Sequence, residues 1–205
     1  MRPDGRASVC MHQPPRQSCR ALARADAERP PRCKAAAAWS LGLQPQEDWR
    51  YRKATMASTL TSLLYHVVFS TKERRQLIGG GLRCPLYEYI GGVIRKHGGG
   101  VVAIGGAADH VHILAAFAPV VSVSDMLRHI KGSSSRWVNE SGRQCAKFAW
   151  QRGYAAFSVS ESMAPAVSKY IEQQEKHHGR LMFQDEFVAL LRKHNVQYDE
   201  RYIWG

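Results

Sequence analysis

The sequence contains no uninterrupted apolar run of about 18 residues, the length that crosses a bilayer as a helix. Its N-terminal region contains arginines but lacks the apolar core of a secretory signal. Prolines at positions 3, 14, 15, 30 and 31 would also interrupt an amphipathic transit helix. We therefore expect no membrane partner and no targeting helix.

Regularly spaced cysteines are missing as well. The chain has five cysteines, an odd number, and none are spaced as Cys-x-x-Cys. This argues against a disulfide framework or a zinc knuckle and favours a reducing cytoplasm. The cysteines are Cys10, Cys19, Cys33, Cys84 and Cys145.

Acidic residues are fewer than basic residues. There are 17 Asp and Glu against 29 Lys and Arg, which gives a formal net charge of +12. Such an excess of positive charge favours a polyanionic partner, first nucleic acid and second an anionic membrane surface. We expect a cytoplasmic, nucleoid-associated protein.

Residues 1–55 differ in composition from the rest of the chain. They contain six of the nine prolines and an alanine run at 35–38, and they show no sustained periodicity. We expect this segment to be disordered and to arise from an upstream start codon. The alternative is a basic arm that holds DNA, which is disfavoured because the basic residues are dispersed.

Residues 56–205 have the hydrophobic periodicity of a single domain. The pattern predicts the order β-α-β-β-α-β followed by C-terminal helices. This is an α+β, ferredoxin-like split β-α-β fold with an antiparallel sheet, which many nucleic-acid-binding domains share. The predicted strands or extended segments are 63–69, 101–104, 111–117, 148–151 and 155–160. The predicted helices are 83–97, 124–138, 162–178 and 183–194, and the aromatic C-terminal residues 198–204 are expected to pack on the body.

The segment Asp109-His110-Val111-His112 begins the predicted strand 111–117. Side chains alternate between the two faces of a strand, so His110 and His112 point the same way and Val111 points into the opposite layer. Two imidazoles on one rigid face can form part of a metal site. The alternative is a pair of histidines on a solvated strand face.

Tyr170 and Gln174 are four residues apart in the predicted helix 162–178, so they share one face. A tyrosine hydroxyl is a poor nucleophile at neutral pH unless a metal or a base assists it. The amide oxygen of Gln174 is a hard ligand that suits Mg²⁺ or Mn²⁺, and helical phase favours it over Gln173. A metal held there could polarise a phosphodiester while the Tyr170 oxygen attacks phosphorus. The alternative is that Tyr170 packs on the sheet and Gln174 is solvated.

Four motifs in this order resemble the single-tyrosine HUH transposases of the smallest bacterial insertion sequences and their REP-associated relatives. They are Tyr65-His66-Val67-Val68-Phe69-Ser70-Thr71-Lys72, Asp109-His110-Val111-His112, Trp150-Gln151-Arg152-Gly153-Tyr154, and Tyr170-Ile171 with Gln174. The resemblance covers about Met56 to Trp204.

The resemblance implies an enzyme that cleaves and rejoins single-stranded DNA beside a folded hairpin. Tyr170 would form a 5′-phosphotyrosine link and release a 3′-hydroxyl. His110 and His112 match the metal-binding pair and Gln174 matches the third ligand of a divalent Mg or Mn ion. Family members act as homodimers in which one subunit's tyrosine helix can complete the other's histidine site.

The hairpin-binding surface of the family is basic, and five residues are candidates for it here. They are Lys72, Arg74, Arg75, Lys131 and Arg136. Two other functions are open from the sequence. One is a domesticated or inactive relative that binds hairpins without cutting them, and the other is an unrelated metal hydrolase that uses water as its nucleophile.

Overall fold

The computed structural model describes residues 61–142, 144, 146–174, 182–201 and 203–204. The predicted extension, residues 1–55, lies outside them. Within the described residues the chain forms four strands and four α-helices, in the predicted order. In chain order these are β1 (Leu64–Ser70), α1 (Gly80–Lys96), β2 (Gly100–Gly106), β3 (His110–Ala116), α2 (Val123–Glu140), β4 (Ala155–Val159), α3 (Ala164–Glu172) and α4 (Phe183–Lys193).

The four strands form one sheet in the order β2-β3-β1-β4. All three neighbouring pairs are antiparallel. In the β1–β3 register Ser70 is paired with His110 and Val68 with His112. The predicted α+β fold with an antiparallel sheet is confirmed, and its register places the end of β1 beside the start of β3.

The two faces of the sheet pack against different helices. On one face, alternate residues such as Val67, Val111 and Ile113 join the core formed with α1 and α2. On the other face, Leu64 and Leu114 pack with Ile171 of α3. Strand alternation produces this division, because successive side chains point to opposite sides.

The end of β2 approaches α3 unusually closely at Gly105. A Cβ atom built there would lie 2.3 Å from the backbone oxygen of Ile171, far inside van der Waals contact. Glycine is therefore the residue that lets the helix carrying Tyr170 lie directly on the sheet.

Two predicted elements differ from the structure. Residues 148–151 form no strand, and only Trp150 makes an isolated bridge, to Thr71. The predicted helix 162–178 begins with the 3₁₀ turn Glu161–Met163, and its α-helical part ends at Glu172. Gln173 leaves helical geometry (φ −93°, ψ 4°), and its N–H is shared between the Lys169 and Tyr170 carbonyls. Residues 175–178 of the prediction lie outside the described residues.

The aromatic C-terminal residues pack on the body, as predicted. Tyr198, Ile203 and Trp204 contact the cluster that α4 forms with β4 through Phe187 and Phe157. This packing fixes α4 against the face of the sheet that carries the histidines.

Cys84 is disulfide-bonded, although the number and spacing of the cysteines predicted no disulfide framework. In the part of the chain that the structure describes, no helix combines the length and apolarity needed to cross a membrane.

Candidate active site

His110 and His112 lie at the start of β3, and both are completely buried. Both face α3 and α4: His110 stacks on Phe183 at a centroid distance of 4.4 Å, and His112 lies 5.8 Å from the Tyr170 ring. Val111 points into the opposite core, as alternation predicted. The alternative of a solvated pair is therefore wrong.

Each of these imidazoles is held through its Nδ1 atom. His110 Nδ1 lies 2.7 Å from Asp109 Oδ1, and His112 Nδ1 lies 3.0 Å from His66 Nε2. Histidines that bind metals in proteins usually anchor their second ring nitrogen in this way, which fixes the tautomer and the ring orientation. The anchored Nδ1 atoms leave Nε2 as the nitrogen that each ring would offer to a metal, and His112 Nε2 lies 3.7 Å from Glu186 Oε1.

His66 is a site residue that the sequence analysis did not single out. It is 3% exposed, and burial lowers its pKa to about 4, with smaller contributions from nearby charges. At neutral pH His66 is therefore uncharged and can accept a hydrogen bond from the Nδ1–H of His112. One feature of the sequence pointed to His66. It lies within a strand predicted to be buried, two residues before Val68, so the two side chains point to the same face of the sheet.

Tyr170 and Gln174 join the histidines from the same chain. The Tyr170 ring stands edge-on to His112 and to His66, the latter at a centroid distance of 6.1 Å. Gln174 is 1% exposed although it lies beyond the end of α3, whereas Gln173 is partly exposed. The alternative of a solvated Gln174 is wrong, and the preference for Gln174 over Gln173 agrees with its burial.

Glu186 of α4 is the second residue that the sequence analysis missed. It is 7% exposed and accepts hydrogen bonds from the Tyr170 hydroxyl and, at 2.7 Å, from Gln174 Nε2. Its Oε1 also lies 3.7 Å from His112 Nε2. A detectable signal existed, because Glu186 falls on the apolar stripe of an amphipathic helix, between Phe183 and Phe187.

The Tyr170 hydroxyl is held in its protonated form. Burial raises its pKa above the ordinary value, and the hydrogen bond to Glu186 and the charge of that carboxylate raise it further. The hydrogen bond with Gln174 acts in the opposite direction and is the smallest effect. A phenol in this setting needs compensating positive charge before it can act as a nucleophile.

The donor atoms around this space suit a divalent metal. One ligand atom from each of His110, His112 and Glu186 lies within 4.8 Å of the others. The buried Oε1 of Gln174 accepts no hydrogen bond from the residues that the structure describes. A buried carbonyl oxygen without a donor is costly, and a metal ion would satisfy it. Imidazole nitrogens with hard oxygen donors form a set that fits Mg²⁺ or Mn²⁺.

Three of the predicted DNA-binding residues lie just after β1. Lys72 and Arg74 are the ends of a 3₁₀ turn, and Arg75 follows that turn. The Thr71 N–H donates to the Asp109 carbonyl at 2.8 Å, so this loop starts beside the histidine segment. Lys72 and Arg75 are exposed, whereas Arg74 is partly buried, with its guanidinium 5.5 Å from the centre of the Trp204 ring. The loop thus presents positive charge at the active-site end of the sheet.

The two other candidates lie on α2. Arg136 is exposed. Lys131 Nζ instead donates to the carbonyls of Arg152 and Gly153, at 3.0 and 2.9 Å. Burial lowers the Lys131 pKa to about 8. Its ammonium group therefore holds the 152–153 loop in place, which sequence reasoning could not show.

Comparison with known proteins gives three findings. The family model described as "Transposase IS200 like" matches residues 59–174. The chain is 31% identical over 129 residues to the transposase for insertion sequence element IS200 of Salmonella typhimurium, covering 58% of this chain and 82% of that protein. It is 27% identical over 117 residues to the ISDra2 transposase TnpA of Deinococcus radiodurans, covering 55% and 84%.

A solved structure of a REP-associated tyrosine transposase bound to a REP hairpin is also similar. Its TM-score is 0.46 at 16% identity, covering 62% of this chain and 76% of that one. The family match includes His66, His110, His112, Tyr170 and Gln174 but ends before α4. On the strength of the family match and the IS200 relative, this chain belongs to the IS200-like family of DNA transposases.

Proposed function

We propose that this protein is a metal-dependent transposase that cleaves and rejoins single-stranded DNA through a 5′-phosphotyrosine intermediate. One observation carries the proposal: a single chain brings Tyr170, His110, His112 and Gln174 to one site on the sheet. Tyr170 is the proposed nucleophile, and the other three are proposed metal ligands.

The reaction exchanges one phosphodiester for another. The Tyr170 oxygen forms a bond to phosphorus, and the bond from phosphorus to the 3′ oxygen of the preceding nucleotide breaks. The phenolic proton is already directed at the Glu186 carboxylate, and the departing 3′ oxygen takes up a proton to become a hydroxyl. Rejoining is the reverse, with a 3′-hydroxyl attacking the phosphotyrosine.

His110, His112 and Gln174 would hold Mg²⁺ or Mn²⁺ with their Nε2 and Oε1 atoms. Such a metal supplies positive charge that polarises the phosphodiester and stabilises the transition state. Asp109 and His66 hold the two histidine rings, so the ligand geometry is set by the sheet before any metal is bound.

Single-stranded DNA that carries a hairpin is the proposed substrate. The net charge of +12 and the basic loop at the histidine end of the sheet support it. The homodimer that the family resemblance implies stays a prediction. Because Tyr170 contacts the histidine site of its own chain, we expect the tyrosine to act in cis.

The proposal is tested with the full-length protein, Mn²⁺ and single-stranded hairpin oligonucleotides taken from the DNA that flanks the gene. A 5′-phosphotyrosine joins the protein to the 3′ part of the cut strand. We therefore expect a 3′-label to move with the protein on a denaturing gel and a 5′-label to appear on a shorter free strand.

Chelation with EDTA should remove both products. Salt-sensitive binding without any adduct would instead identify a non-catalytic hairpin binder. An adduct that carries the 5′-label would overturn the proposed polarity.

The basic candidates differ in a way that binding measurements can detect. Lys72 is exposed and pairs with the exposed Glu73 at 3.9 Å, a contact that a phosphate can replace, whereas Lys131 is bonded to two carbonyls. For each phosphate contact to a single strand, the slope of log Kobs against log salt concentration changes by about 0.7. We expect Lys72→Met to lower the slope by about that amount and Lys131→Met to leave it unchanged. An equal loss of slope in both variants would show that Lys131 also contacts phosphate.

A further inference from the structure

Glu186 occupies the candidate metal site, although it lies outside the region that defines the family. The family match ends at residue 174, and Glu186 is in the first turn of α4. Phe183, Phe187 and Leu191 of the same helix pack on the sheet and hold this turn against the histidine face. The carboxylate is therefore placed by a helix that the transposase family match does not include.

The geometry of the Glu186 carboxylate is that of a ligand. Its Oε1 lies 3.7 Å from His112 Nε2, and the three donor atoms of His110, His112 and Glu186 lie within 4.8 Å of one another. Ligand atoms at about 2.1 Å from one metal are at most about 4.2 Å apart, so shifts of about half an ångström would close the site.

Charge and burial support the same role. A divalent ion between Glu186 and the two imidazoles would place positive charge directly against a buried carboxylate. The carboxylate has two oxygens with about four acceptor positions. The hydrogen bonds from Tyr170 and Gln174 both end on Oε1, so Oε2 keeps its acceptor positions for a metal.

We propose that Glu186 is an anionic ligand of the divalent metal, contributed by α4 to the histidine site. The inference rests on the proposed metal-dependent function. It adds a fourth donor to the three that the resemblance implies, and it makes α4 part of the metal site.

The test measures Mn²⁺ affinity of the full-length protein without DNA, by titration calorimetry and by loss of the free Mn²⁺ electron paramagnetic resonance signal. We expect Glu186→Gln to weaken binding at least tenfold, because the amide keeps the size and loses the charge. The matched control is Asp185→Asn, which removes the same charge from an exposed position of the same turn and should bind within twofold of wild type.

Tyr170→Phe measures the hydrogen bond by itself. It removes the hydroxyl that Glu186 accepts from and keeps the carboxylate, so it should weaken Mn²⁺ binding less than Glu186→Gln does. If Glu186→Gln binds Mn²⁺ like wild type while His112→Ala does not, the Glu186 inference is wrong and the proposed function stands. If His112→Ala also binds normally, the proposed metal site itself is wrong.

A second measurement needs no variant at Glu186. In the wild-type protein, Mn²⁺ should slow amide hydrogen exchange in α4, residues 183–193, as well as in β3. Slowing confined to β3 would contradict a ligand contributed by α4.

Discussion

Replacing Tyr170 with phenylalanine should abolish the covalent protein–DNA adduct, with a loss of more than about a thousandfold in its rate of formation. The substitution removes the oxygen that would bond to phosphorus and keeps the ring that packs beside His112 and His66. It also removes one hydrogen bond to Glu186, so we expect a loss of about 1–3 kcal/mol in the free energy of unfolding. Denaturing gels and urea titrations measure the two effects.

Tyr154→Phe is the matched control, because Tyr154 is 41% exposed and should retain full adduct formation. An adduct of normal yield in Tyr170→Phe would show that Tyr170 is not the nucleophile. Cleavage that continues without an adduct would favour the metal hydrolase with water as its nucleophile.

Replacing His112 with alanine should abolish Mn²⁺ binding and adduct formation together, each by at least about a hundredfold. The imidazole Nε2 is lost as a ligand, and its Nδ1 no longer bonds to His66. We expect His110→Ala to behave in the same way, because Asp109 and Phe183 hold its ring on the same face. Calorimetry and the adduct gel measure both variants.

His129→Ala serves as the control for histidine loss. His129 stacks on His97 at a centroid distance of 4.1 Å, and it belongs to α2, which packs on the opposite face of the sheet. Its replacement should leave metal affinity unchanged. Full adduct formation in both His110→Ala and His112→Ala would contradict a metal-dependent reaction at this site.

Local sequence was sufficient for the order of the elements and for the shared face of the two histidines. Strand alternation placed His110 and His112 on one face and Val111 on the other, because the period of two is a property of the backbone. Helix signals were equally local: Ser122 accepts a hydrogen bond from the Asp125 N–H and so caps the N-terminus of α2. The i, i+4 spacing of Tyr170 and Gln174 then suggested the second half of the site, and the family motifs strengthened that prediction.

Sequence reasoning was less accurate where an element ends. Gln174 was assigned to the site through an i, i+4 relationship, yet α3 ends at Glu172 and Gln174 reaches the site from beyond the helix. Helical phase therefore singled out Gln174, although the helix is interrupted at Gln173. Packing of Ile171 against Gly105 is a tertiary contact and is not visible in helical periodicity.

What the sequence alone determined is the order of elements, the shared face of His110 and His112, and the excess of positive charge. Only the tertiary structure decided that His66 holds His112 from 46 residues away, that Lys131 is bonded to the 152–153 loop, and that Glu186 enters the site from α4. The physical reason is that alternation, capping and helical phase act over a few residues. Contacts between β1, β3, α2 and α4 depend instead on strand register and on how apolar faces pack, and neither is encoded in any local spacing.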